Sequence, residues 1–145
     1  MRVYLAIKFH ADCSNRELIT TISSVLAECG CETFCVIRDL ERWGEVRFSP
    51  DILMQQSFAA IDASDALLVE LTEKGVGVGI EAGYAFARGI PVFTIAEAGA
   101  DISETLRGIS QATCSYTTYD ELTEFLKQTV WTQNHHSSRS IERQS

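Results

Sequence analysis

The sequence predicts a single α/β domain, a parallel sheet of five strands with helices on both faces. Three observations carry this. Apolar runs of strand length recur at RVYLAIKF (2–9), ETFCVI (32–37), DALLVEL (65–71), IPVFTI (90–95) and ATCSYTT (112–118). Stretches with helical spacing of apolar residues separate them. The order β-α-β-α-β-α-β-α-β-α is then that of a sheet whose parallel strands are joined by helical crossovers.

Each element has a local reason. After strand one, Ser14 and Glu17 are spaced as a capping box. The helix that follows carries Leu18, Ile22, Val25 and Cys29 on one stripe, with Ile19 and Leu26 beside it, and Gly30 ends it. Strand two leads into a longer loop over 38–49. Ser49, Pro50 and Asp51 begin a second helix, a cap followed by proline at the first position, with Met54, Phe58 and Ile61 as its apolar stripe. Asp101 and Glu104 are spaced to cap a short helix over 102–108 closed by Gly108. Thr118 and Glu121 do the same for a last helix through Val130. Right-handed crossovers then favour a flavodoxin-like strand order, 2-1-3-4-5. Residues 1–131 form the domain, and the polar, aperiodic tail 132–145 reads as disordered.

The chain has 145 residues, 46% of them hydrophobic, which suits one domain with a real core. A net charge of −8 argues against a nucleic-acid polymer or an anionic membrane as main partner. The start of the chain reads as a strand and not as a signal peptide, so a cytoplasmic location is expected. Cys13, Cys29, Cys31, Cys35 and Cys114 form no C-x-x-C pair and no zinc spacing, so free thiols and no metal site are expected.

The chemistry concentrates in residues 65–95. A buried strand ends at Glu70, GVGVG supplies Gly75, Gly77 and Gly79 as a sharp loop, and a small-residue helix follows with Glu81 in its first turn. Loops at the carboxyl ends of strands form the ligand crevice of such a sheet, so Glu81 is expected at its mouth, its charge favoured by the helix N-terminus. The same glycines, with Ala82 and with Glu97 further on, loosely satisfy a dinucleotide fingerprint. Against that reading, Glu81 would repel a pyrophosphate, and the motif lies in the third βα unit. Plain close packing of helix on sheet is a further alternative.

The strand, the G-x-G, and the helix opening with Glu and Gly (Gly77, Gly79, Glu81, Gly83) resemble the nucleoside 2-deoxyribosyltransferase family, which includes the 2'-deoxynucleoside 5'-phosphate N-hydrolases. The resemblance runs from Tyr4 to about Glu124. It implies that Glu81 is a nucleophile toward the anomeric carbon of a nucleoside and that Tyr4 orients it. Tyr4 also reads as a core tyrosine. Lys8 and His10 lie where the hydrolases hold a 5'-phosphate, although IKFHAD lacks their Gly-Ser motif. Ser103, in DISETLRG, aligns with a serine that reaches a neighbouring subunit's ligand, which implies a homodimer. Trp43, with Arg38, Asp39, Arg47 and Phe48 nearby, is placed to stack on a base or to plug a helix. Ser57 stands where the family carries an Asp that assists the leaving base, and serine is a poor general acid. Asp62 and Asp65 do not replace it by alignment, which leaves Glu70 as the candidate second carboxylate.

The resemblance therefore implies cleavage of the N-glycosidic bond of a nucleoside or a nucleoside 5'-monophosphate, by water or by base transfer, without a cofactor. A non-catalytic nucleotide-binding module and an NAD glycohydrolase are the alternatives.

Overall fold

The computed structural model describes residues 1–129, so the expected tail at 132–145 lies outside the described residues. The strands are β1 (Arg2–Ile7), β2 (Glu32–Phe34), β3 (Ala66–Glu70), β4 (Val92–Glu97) and β5 (Ala112–Tyr116). They form one parallel sheet in the expected order β2-β1-β3-β4-β5. The helices are α1 (Arg16–Glu28), α2 (Val36–Asp39), α3 (Pro50–Asp62), α4 (Val76–Ala87), α5 (Glu104–Ile109) and α6 (119–129).

Strand alternation sends side chains to two cores. Val3, Leu5, Ala66 and Leu68 meet Ile19, Ile22 and Leu26 of α1 and Leu122 and Leu126 of α6. Tyr4, Ala6, Leu67 and Val69 meet Ile61 of α3, Val78, Ala82 and Ala85 of α4 and Leu106 of α5. The sheet is thus covered on both faces, as an all-parallel sheet requires. No helix among the described residues is long and apolar enough to cross a membrane.

Several local expectations are corrected. β2 is three residues, not six, because Cys35 turns the chain into α2 and its N–H donates to Asp39 Oδ2 at 2.8 Å. Asn15, not Ser14, stands at the start of α1; Ser14 instead turns back to Asp12 and His10. Asp101 pairs with Lys74 at 2.6 Å, and Ser103 occupies the N-cap of α5, in which Gly108 is an interior residue. The start of α6 follows expectation: the Glu121 N–H donates to Thr118 Oγ1, and the Glu121 carboxylate accepts from Thr117 N–H. Gly89 (φ +74°) closes α4, and the N–H of Ile90 returns to the carbonyl of Ala85.

The largest correction concerns the glycine stretch. Only Gly75 lies outside the helix, extended at its N-cap, while Gly77 and Gly79 are helical residues of α4. The turn is made by 71–75. It is tied by Glu70, whose carboxylate accepts from both the N–H and the hydroxyl of Thr72. Glu81 is therefore the sixth residue of α4, in its second turn. A dinucleotide fingerprint, which needs its glycines in the turn, does not fit this geometry.

Candidate active site

β1 and β3 are neighbours whose crossovers lead to opposite sides of the sheet, and a crevice opens at their carboxyl ends. On the α3/α4 face it forms a cleft of about 360 Å³. Leu5, Ile7, Val36, Ile37, Leu53 and Met54 give it largely apolar walls. Into it face Tyr4, Lys8, Glu41, Ser57 and Glu81, with Gly75 and Gly77 along one side.

Glu81 follows Val78 by one helical step. Val78 points into the core, and Glu81 lies half-buried at its border. Burial among apolar groups pushes its carboxyl up from 4.5 to about 7, a rise that the neighbouring Tyr4 hydroxyl partly offsets. The helix dipole, expected to favour the charged form, acts within the first turn and does not dominate at this depth.

Tyr4 lies in the middle of β1 and is fully buried, with its hydroxyl beside Glu81 and Ser57. The hydroxyl makes no hydrogen bond among the described residues and stands beside the Glu81 carboxylate as an uncommitted donor. Burial, and then the neighbouring Glu81, push the phenol far above its usual range, so it is a donor and not a phenolate. Ser57 is also buried, but its hydroxyl donates to the Leu53 carbonyl at 2.8 Å in its own helix.

The other expected site residues lie elsewhere. Glu70 is 3% exposed and stands on the opposite face, because it shares the parity of Ala66 and Leu68 along β3. The sheet thus separates it from Glu81. His10 faces Glu73 at 3.0 Å and lines a neighbouring groove with Glu70. Trp43 adopts a left-handed backbone (φ 58°) that turns its ring toward α1, under the Arg16 guanidinium at 4.5 Å. Arg38 is taken up by Ser23, Thr33 and Asp39. Ser103 and Gly79 share a separate groove between α4 and α5. Asp62 pairs with Tyr84 and Arg88, and Asp65 accepts from the Arg2 N–H. Among the described residues, no group of three or more His, Cys, Asp or Glu could hold a metal ion.

Sequence reasoning missed Glu41 and the wall built by Cys35, Val36, Ile37, Leu53 and Met54. A carboxylate just beyond the carboxyl end of strand two was the available signal.

The helical glycines admit a direct test. Gly77 lines the cleft, and a Cβ there would meet no atom within 4 Å, so it would project into open space beside the cleft. Gly77→Ala is expected to stabilise the fold by up to about 1 kcal/mol through helix propensity. It is expected to weaken ligand binding severalfold by filling that space. Thermal melts with and without ligand check both signs. A variant that binds as tightly as wild type would place the ligand elsewhere.

Solved structures share this architecture. A CMP N-glycosidase from Clostridium botulinum superposes with a TM-score of 0.68 at 22% identity, over 88% of this chain and 98% of that one. A 2-deoxyribosyltransferase from Bacillus psychrosaccharolyticus gives 0.67 at 15%, over 85% and 90%. A conserved protein from Enterococcus faecalis V583 gives 0.70 at 14%, over 88% and 98%. At these identities the likeness is one of fold. No curated protein sequence matches the chain. The profile of one family, described as nucleoside 2-deoxyribosyltransferase, matches residues 3–133, nearly the whole chain, and the protein belongs to that family.

Proposed function

We propose that the protein cleaves the N-glycosidic bond of a nucleoside 5'-monophosphate, with Glu81 as nucleophile. The observation that carries this is the meeting of Glu81 with Tyr4 at the floor of an apolar cleft on the sheet's carboxyl edge. In the first step a Glu81 oxygen forms a bond to C1' while the C1'–N bond breaks and its electron pair leaves with the base. In the second, water or another base attacks C1' and frees the carboxylate, the two-step logic of retaining glycosidases. Tyr4 orients the carboxylate, and the apolar walls exclude bulk water.

A phosphate suits the cleft mouth, where the Lys8 side chain stands beside Gly75 at the N-terminus of α4. Lys8 is the one expected phosphate contact that lines this cleft, since His10 and Ser103 do not. Water is preferred as acceptor because the Lys8 contact at the mouth suits a 5'-monophosphate, the substrate of the hydrolases in the resembling family. We further propose a homodimer. Val76 (82% exposed), Ile80 and Phe86 present apolar surface along the outside of α4, and Ser103 has no place in the cleft of its own chain.

One observation favours a second reading, a nucleotide-binding module without turnover: Ser57 offers no acid and its hydroxyl is occupied. Base release from nucleosides, ribonucleoside and 2'-deoxyribonucleoside 5'-monophosphates, and NAD, followed chromatographically, separates the readings. Release from a monophosphate is the expected result. Release from NAD alone would point to a glycohydrolase. Saturable binding with no release from any compound would leave the binding module.

A further inference from the structure

We propose that Glu41 is the general acid that protonates the departing base, the role that Ser57 cannot fill; this rests on the N-glycosidase reading above. The argument begins with the side chains in the cleft that carry an exchangeable proton: Tyr4, Lys8, Cys35, Glu41, Ser57 and Glu81. Glu81 is the nucleophile, and the Tyr4 phenol beside it is held far above its usual range by burial, too weak an acid to protonate the base. The Ser57 proton is committed to the Leu53 carbonyl. Burial pushes the Cys35 thiol up to about 12, too weak an acid for the task. Lys8 lies at the mouth, 3.6 Å from Glu73.

Glu41 remains, and its situation is unusual for a carboxylate. Among the described residues its side chain has neither a hydrogen bond nor an ion pair, although it is only half exposed. An unpaired carboxyl against an apolar wall carries a desolvation cost that nothing beside it offsets. Its backbone is held firmly: the N–H donates to the Val36 carbonyl at 3.0 Å, and the carbonyl accepts from the N–H groups of Gly44 and Val46 at 3.0 Å each. The two residues after it, Arg42 (φ 47°) and Trp43 (φ 58°), occupy the left-handed region without being glycine. Such backbone is kept only where the surroundings enforce it. Here Cys13 Sγ bonds the Trp43 carbonyl and Arg16 covers its ring. Burial raises the Glu41 carboxyl above its ordinary value, which favours the protonated form a leaving group needs.

The step balances. As Glu81 attacks C1', the C1'–N electron pair passes to the base, and the Glu41 proton passes to a ring nitrogen or carbonyl oxygen of that base. Glu41 is then a carboxylate. It takes a proton from the incoming water, which delivers hydroxide to C1', releases Glu81 and restores the acid.

The test compares two leaving groups in Glu41→Gln. One substrate is the monophosphate that wild type cleaves fastest. The other is the para-nitrophenyl glycoside of 2'-deoxyribose 5'-phosphate, whose leaving group departs without a proton. Loss of a general acid is expected to lower kcat by about 10²- to 10⁴-fold on the first substrate and only severalfold on the second. The alkaline limb of the pH profile should disappear, and formate should restore part of the activity of Glu41→Ala. Equal loss on both substrates, or loss on neither, would overturn the assignment. If wild type releases no base from any monophosphate, the N-glycosidase reading itself fails and Glu41 falls with it.

Discussion

Glu81→Gln abolishes base release, with an expected loss of about 10⁴-fold or more, as when a covalent nucleophile is removed. The cleft and its ligand affinity should persist, because glutamine keeps the shape and can still accept a hydrogen bond from Tyr4. Stability supplies a second, independent readout. The folded-state carboxyl is raised from 4.5 to about 7, so the protonated form is the one the fold prefers. The stability this group contributes is complete below about 4.5 and is lost as pH rises to about 7. Glutamine has no such dependence. Above pH 7 the inactive variant should therefore melt at a higher temperature than wild type, and the gap should close as the solution is acidified. Melts at a series of pH values check this. A wild type that matches the variant throughout would show that Glu81 is not strained by its surroundings. Retained turnover would remove it as the nucleophile.

Tyr4→Phe has the second largest expected effect, and its signature is a displacement along the pH axis. On the proposed mechanism only ionised Glu81 attacks, so the acid limb of kcat/KM should rise through about pH 7, below the alkaline limb assigned to Glu41. The Tyr4 hydroxyl favours that ionised form, and its removal leaves burial unopposed. The acid limb should move to higher pH, with neutral-pH activity down roughly 10- to 100-fold, the worth of a hydrogen bond to a charged group. An unmoved limb with lower stability would identify Tyr4 as a core residue only.

The layout of the sheet was readable from the residues because each apolar run has strand length and each gap has helical spacing. The resemblance singled out Glu81 and Tyr4, and the structure brings both to one cleft. Glu70 was misplaced for a physical reason: ALLVE is buried on both faces, so its pattern carries no parity, and only the pairing of β3 with its neighbours sets the side each residue takes. The glycines were misread because glycine suits a tight turn as well as a helix. Burial of Val78, Ala82 and Ala85 against the sheet decides for the helix. Glu41 escaped notice because 35–48 has no periodicity, and its conformation depends on contacts with α1 that are distant in sequence.

The make-up of α4 has one more consequence. Gly77, Gly79 and Gly83 are interior helical residues, each costing about 1 kcal/mol relative to alanine. The carboxylate of Glu81 thus rides on a helix that opens more readily than one with alanine at these three positions. On the mechanism proposed above, a substrate seated along Gly75 and Gly77 would hold that segment helical and so keep the carboxylate aligned. Part of its binding energy is then spent on ordering, and it appears in turnover instead of in affinity.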